Sequence, residues 1–266
     1  MNAFDYRCPS TLADAVQALN AISGAKLLAG GQSLIPAMKL RLNHPPCVVD
    51  LRAIRGLNSI GRKGDTLVIG AMTTHAEIVE SAEVNGAIAG LAQLAEGIGD
   101  PQVRNRGTIG GSLANNDPAA DYPAAALALG ATLKTNRRSI ASDDFFKGLF
   151  TTALGDAEIL TEIVFPVPNR FAYAKFGNPA SRFALVGVAV AETKAGIRVA
   201  VTGASGNGVF RVAAMEEALA KSFAPESLAK ISVNTSGLAS DIHADADYRA
   251  HLIGVMARRA VKAALT

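Results

Sequence analysis

Two glycine pairs followed by small polar residues are the groups in this chain best suited to bind an anion. They are Ala29-Gly30-Gly31-Gln32-Ser33-Leu34 and, in a later segment, Thr108-Ile109-Gly110-Gly111-Ser112. Paired glycines let the backbone turn with positive φ and aim successive N–H groups at one point, a nest suited to a phosphate. Gln32 and Ser33 can donate as well. Taken alone, either motif reads equally as an ordinary turn between two elements. Together they could converge on the two phosphates of a dinucleotide, each loop donating amides to one of them.

The residues around the second pair extend this picture. Arg104 and Arg106 either offset phosphate charge or sit solvated at the surface. Asp117 and Asp121 repel phosphate but suit hydroxyl groups, because a carboxylate accepts hydrogen bonds from a ribose or ribityl chain. Asp117-Pro118 reads equally as the start of a helical run. No acid, base or nucleophile stands beside the cradles. The chain has no GxGxxG after a strand, no GxxxxGK[ST] and no GxSxG, and His44, His75, His243 and His251 form no HxxxH or HExxH pair. Cradles without catalytic groups point to a cofactor that carries its own reactivity.

Composition removes several classes of function. The chain has 266 residues, with 26 Lys and Arg against 23 Asp and Glu, and is 49% hydrophobic, which excludes a disordered protein. Aromatics make up only 5% and Trp is absent, which argues against nucleic acid as a partner. Cys8 and Cys47 lie far apart without a CxxC, so a reducing, cytoplasmic setting is expected, and no apolar run is long enough for membrane insertion. Residues 1–62 hold seven Lys and Arg against Asp5, Asp14 and Asp50, a mild preference for an anionic ligand near the N-terminus.

Local pattern then supplies the elements that must position these groups. Thr11 caps a helix with Leu12, Val16 and Leu19 on one face, a strand at 26–29 runs into the first glycine pair, a helical segment spans 34–42, and 47–50 is a short apolar strand. This is a small βαβ-type unit. A strand follows at 66–71, Thr74 and Glu77 form a capping box, and a buried helix spans about 85–98. Residues 99–121 read as one long polar loop, and 122–131 as a buried, Ala-rich helix. A strand at 158–165 ends at Pro166 and Pro168, with a boundary near 168–172. Three strands at 171–176, 183–193 and 196–203 are joined too closely to pair other than antiparallel. Helices at about 211–221, 226–230 and 247–265 close the chain.

The two glycine motifs in their surroundings, KLLAGGQSLIPAMKLRL at 26–42 and RNRGTIGGSLANNDPAADYPAA at 104–125, resemble the FAD-binding medium subunit of the xanthine dehydrogenase and carbon monoxide dehydrogenase family, the molybdenum hydroxylases. The likeness continues through EILTEIVFPVP at 158–168, KFGNPASRFALVGVAVA at 175–191 and VTGASGNGVFRVAAMEEAL at 201–219. It implies an α+β, vanillyl-alcohol-oxidase-like (PCMH-type) FAD-binding fold. Two subdomains, about 1–56 and 57–170, would make the FAD-binding domain 1–170, and 171–266 would be a C-terminal domain with a three-stranded antiparallel sheet and helices.

By the same resemblance Ala29 to Leu34 and Thr108 to Ser112 hold the pyrophosphate of FAD, flanked by Lys26, Leu27 and Leu28. Asp121 accepts from a sugar hydroxyl, and Asp117 stays a candidate on its residue type alone. Leu160 meets the isoalloxazine through its backbone, and Lys175 approaches the ring's polar edge. The implied partners are a large molybdopterin subunit and a small [2Fe–2S] subunit, assembled as a dimer of heterotrimers. The implied role is electron transfer from [2Fe–2S] clusters to NAD, quinone or oxygen. A stand-alone FAD-dependent reductase of the same fold and a non-catalytic scaffold are the competing functions. Many relatives carry His-Ala where this chain has Asn115-Asn116, so a contact made by that histidine has no counterpart here.

Overall fold

The computed structural model describes residues 1–266. The chain opens with β1 (Asp5–Arg7), α1 (Leu12–Ala21), β2 (Lys26–Leu28), α2 (Leu34–Lys39) and β3 (Cys47–Asp50), and the strands pair in the order β1-β3-β2, both pairs parallel. The Asp14 amide donates to Thr11 Oγ1 at 3.1 Å, which starts α1 where the sequence predicts. Central β3 is buried along its whole length, as a continuous apolar run requires. Strand β1 escapes sequence reading because Asp5-Tyr6-Arg7 is an exposed polar edge placed by partners distant in sequence, the ladder offered by β3 and the Tyr6 Oη bond to Asp50 Oδ2 at 2.8 Å.

The second unit contains β4 (Ile60–Lys63), β5 (Thr66–Gly70), α3 (His75–Glu80), α4 (Ala82–Glu96), α5 (Pro101–Arg104), α6 (Ile109–Asn115), α7 (Tyr122–Leu129), β6 (Thr132–Thr135), β7 (Ser139–Ala141), α8 (Ser142–Phe145), β8 (Phe146–Gly148), β9 (Thr151–Thr152) and β10 (Leu160–Pro166). Its main sheet is antiparallel in the order β4-β5-β10-β6-β7, and β8 and β9 form a separate hairpin. The capping box opens α3 as read: Thr74 N–H donates to Glu77 Oε2 at 2.7 Å and Glu77 N–H to Thr74 Oγ1 at 3.2 Å. Helix α4 begins at Ala82, earlier than the pattern predicts, because Ser81 caps it, and it is bent at Ile88.

The polar stretch 99–121 is not one loop. It holds α5 and α6, capped by Asp100 and Thr108. These helices are illegible in sequence because they are one or two turns long and carry Pro, Gly, Ser and Asn, so their helical state is decided by capping and by docking.

The last unit is an antiparallel sheet of β11 (Arg170–Gly177), β12 (Ala184–Thr193), β13 (Gly196–Thr202) and β14 (Phe210–Arg211), followed by α9 (Ala213–Lys221), a 3-10 turn at Pro225–Leu228 and α10 (Ala246–Ala264). The resemblance implied three strands. The fourth is two residues long and pairs Phe210 with Val201. Alternation along β12 and β13 divides the sheet's faces. Val188, Val190, Val199 and Val201 join the core under α9 and α10, whereas Ala189, Ala191 and Ala200 join the core that contains α7. Alanines on that second face let α7, buried at every residue, lie flat on β12 and β13. No helix is long and apolar enough to cross a membrane.

Candidate functional site

The first glycine motif leaves β2 and enters α2. Gly31 has φ +77°, and a Cβ there would stand 3.0 Å from Ile35 and 3.1 Å from Leu28. The carbonyls turn inward: Gly31 O accepts from Ile35 N–H at 3.1 Å and Ser33 O from Ala37 N–H at 3.2 Å. The consecutive N–H groups from Ala29 to Leu34 donate to no protein acceptor. Gln32 and Ser33 are exposed, and the Ser33 side chain caps nothing. A run of half-exposed, unspent donors on a turning backbone is an anion nest.

The second motif is built differently. Thr108 is the N-cap of α6, and its Oγ1 accepts from Gly111 N–H at 3.1 Å. Ile109 N–H donates to Thr73 O at 3.0 Å, Gly110 N–H to Ala71 O at 2.9 Å, and Ser112 N–H to Thr108 O at 3.0 Å. The amides of Ile109 to Ser112 are therefore satisfied inside the protein. Gly110 is a packing glycine, because a Cβ there would lie 2.5 Å from both Ala71 Cβ and Ala71 O.

Tertiary structure brings the two motifs into contact. A Cβ on Gly30 would stand 1.8 Å from the carbonyl oxygen of Arg106, and one on Gly111 would stand 3.6 Å from Ala29 Cβ. The backbone just before α6 thus lies directly on the first loop. The two arginines part company here. Arg104 donates to Ile98 O at 3.1 Å and Gly99 O at 3.2 Å, while Arg106 is exposed and enters none of the chain's ion pairs.

Asp121 is buried in front of α7 without capping it. Tyr173 Oη donates to its Oδ1 at 2.5 Å and Lys175 Nζ to its Oδ2 at 3.1 Å. Burial pushes the Asp121 carboxyl upward, and Lys175 and Tyr173 pull it back down. The Lys175 ammonium also donates to Gly97 O at 2.8 Å and Arg182 O at 3.1 Å, so its three donors are all engaged. Any further acceptor for Lys175 must displace one of these.

Asp117 closes a local turn by accepting from Ala119 N–H at 2.9 Å, and the helix it was read as starting begins later, at Tyr122. Leu160 is buried at the start of β10, beside a bulge in the pairing with β6. Lys26 is exposed at the start of β2, and Leu27 and Leu28 lead from it into the first loop.

Three contributors went unread. Tyr173 carried no signal, being one aromatic in a strand. Asn116 adopts φ 46° at the end of α6, and its Nδ2 donates at 2.8 Å to Gly148 O and to Thr151 O, which clamps the β8–β9 hairpin. An Asn after a short Gly-rich segment is a legible left-handed cap signal. His75 is buried beneath the second loop, 2.5 Å from where a Gly107 Cβ would lie and with its ring 5.3 Å from that of Tyr122. Burial, with a smaller push from Arg104, holds it at about 4.

Known proteins match this arrangement over its whole length. The family described as the FAD binding domain in molybdopterin dehydrogenase matches residues 2–168. The carbon monoxide dehydrogenase medium chain of Hydrogenophaga pseudoflava is 37% identical over 98% of this chain and 96% of its own. Among solved structures, reconstituted CO dehydrogenase from Oligotropha carboxidovorans superposes with a TM-score of 0.91 at 35% identity, covering 99% of this chain and 98% of that one. Quinoline 2-oxidoreductase from Pseudomonas putida 86 gives 0.89 at 31% identity, covering 99% and 97%. With unspent amides on a glycine loop and a family match over more than half its length, the chain belongs to the medium, FAD-binding subunits of the carbon monoxide and xanthine dehydrogenase type of oxidoreductase.

Proposed function

We propose that this chain is the electron-transfer subunit of a molybdenum hydroxylase, receiving electrons from a partner's [2Fe–2S] clusters and passing them to NAD, quinone or oxygen. The observation that carries the reading is the run of unspent amides from Ala29 to Leu34, packed against the α6 loop. Those residues fit FAD, since the nest offers several donors to a pyrophosphate and Gly111, lacking a side chain, keeps the space in front of Ala29 open. Bound FAD would supply the one- and two-electron chemistry that no side chain can.

In this reading residues 1–170 are the FAD-binding domain and 171–266 the C-terminal domain. Ala29 to Leu34 bind the pyrophosphate through their amides, with Lys26 beside them. Thr108 to Ser112 shape the opposite wall. Asp121 accepts from a sugar hydroxyl, Leu160 meets the ring through its backbone, and Asp117 shapes the loop above it. Lys175 acts chiefly by holding Asp121, because its donors are already engaged. The chain gathers no group of three His, Cys, Asp or Glu side chains. The molybdopterin and [2Fe–2S] centres would belong to a large and a small partner subunit, as a dimer of heterotrimers in the cytoplasm.

The test combines a spectrum with a reduction assay. Purified alone, the chain should show oxidised-flavin absorption yet reduce no dye with purines, aldehydes or carbon monoxide, and dye reduction should return with the co-purified partner subunits. Substrate-dependent dye reduction by the single chain would refute the reading and favour a stand-alone reductase.

A further inference from the structure

We propose that Tyr173 is a positioning residue: its hydroxyl, seated in the space left by Gly187, fixes the Asp121 carboxylate in the orientation that receives a sugar hydroxyl of the bound dinucleotide. The inference rests on the reading above that Asp121 faces such a hydroxyl.

Phe171, Tyr173 and Lys175 share one face of β11, turned toward the α7 side of the sheet. Tyr173 pairs with Ala189 of β12, and the next residue on the same face of that strand is Gly187. A Cβ on Gly187 would stand 2.0 Å from the Tyr173 hydroxyl and 2.7 Å from the ring carbon that bears it. The ring therefore lies along β12 across the glycine, which is how a strand residue reaches a carboxylate in front of α7. The same point lies 2.9 Å from the Thr202 methyl, so Gly187 also clears that side chain, but the two closest atoms belong to Tyr173. Its φ is not in the left-handed region, so the demand is for space and not for backbone freedom.

The two oxygens of Asp121 are held by different groups, Oδ1 by Tyr173 and Oδ2 by Lys175. Two donors from one strand fix the plane of the carboxylate and leave each oxygen a further lone pair. Asp121 stands where an N-cap would, yet caps nothing, so its side chain is diverted entirely to this network. Burial and the neighbouring carboxylate push the Tyr173 phenol well above its usual range, which keeps it a donor at every working pH. The groups that bear on Asp121 are Lys175 and Tyr173 from β11 and its own neighbour Tyr122, whose ring lies 5.3 Å from that of His75 at a 45° tilt.

The experiment measures FAD affinity of the full chain from pH 5 to 8, with thermal stability alongside, for wild type, Tyr173→Phe, Gly187→Ala, Asp121→Asn and the double variant Tyr173→Phe/Asp121→Asn. Tyr173→Phe keeps the ring and removes one donor to a charged acceptor, so affinity should fall roughly tenfold. Its fall toward acid should begin at higher pH than in wild type, because Asp121 takes up a proton more readily. Gly187→Ala should act in the same direction, and the Tyr173→Phe effect should largely vanish in the Asp121→Asn background. A Tyr173→Phe chain with wild-type affinity and pH profile overturns the positioning role. So does an effect of unchanged size in the double variant, which would mark Tyr173 as packing only. If Asp121→Asn binds FAD as tightly as wild type, the underlying reading of Asp121 fails instead.

Discussion

The two glycine motifs look interchangeable as text and are opposites as structure. At Ala29 to Leu34 the Gly31 and Ser33 carbonyls are spent inside the protein and the amides are free; at Ile109 to Ser112 the amides are spent, on Ala71, Thr73 and Thr108. Gly31 is required by a left-handed φ, whereas Gly30 and Gly110 are required by the close approach of other backbone. The first loop thus offers free donors, and the second is a joint that ties α6 to the end of β5 and presents its wall to the first. A glycine pair signals that backbone must come close to something, and only the fold tells whether that something is a ligand or the protein itself.

The strongest way to break this contrast is to add side chains to each loop. Gly31→Val opposes a positive φ and crowds Leu28 and Ile35, and should abolish FAD binding while most of the fold survives. The flavin-to-protein ratio and circular dichroism of that variant decide the matter, and full flavin occupancy would remove the first loop from the site. Gly110→Ala should do the reverse in kind, driving a Cβ into Ala71 and costing on the order of 1–3 kcal/mol of stability, read as a lower thermal midpoint before any flavin is added.

Acid should loosen the joint through His75. The unfolded chain protonates this histidine near its usual 6.5, but burial, with a lesser contribution from Arg104, holds the folded pKa at about 4. The unfolded state therefore binds the proton first. Stability should be full above about pH 6.5 and decline as pH falls toward 4, by an amount on the order of 3 kcal/mol. Thermal midpoints across that range should slope steeply in wild type and more shallowly in His75→Gln. Equal slopes would mean that another group sets the acid limit.

The smallest effect should come from Arg106. Being exposed and unpaired beside the first loop, it offers screened attraction to the phosphates. Arg106→Ala should weaken FAD only a few-fold at low salt, with the difference vanishing at high salt. Arg104→Ala should instead act on stability, since its guanidinium holds the Ile98 and Gly99 carbonyls. Equal salt-dependent losses of FAD in both variants would undo the distinction.

Local chemistry settled much of this molecule in advance. Thr11 caps Asp14 and Thr74 forms a reciprocal box with Glu77, contacts that need only neighbours in sequence, and α1 and α3 begin where they predict. Apolar runs at 47–50, 66–71 and 184–193 are strands because nothing else buries them so economically, and Tyr122 to Leu129 is apolar on every face and buried on every face. The glycine pairs, their polar followers and Asp121 were legible as cofactor-binding candidates from residue type alone.

What sequence could not decide depends on partners far along the chain. Strand β1, helices α5 and α6, and β14 exist because another element supplies the ladder or the docking surface, and their own residues are too few or too polar to specify them. The same holds within the site. Whether an amide is free or spent is a property of what lies opposite it. Ala71 and Thr73, distant in sequence, spend the amides of Gly110 and Ile109. Tyr173 reaches Asp121 only because Gly187 on the neighbouring strand lacks a side chain. Residue types and spacing thus set which groups could bind a dinucleotide. Long-range packing left the amides of one glycine pair free and spent those of the other inside the protein, because a hydrogen-bonding group serves whichever acceptor the fold sets against it.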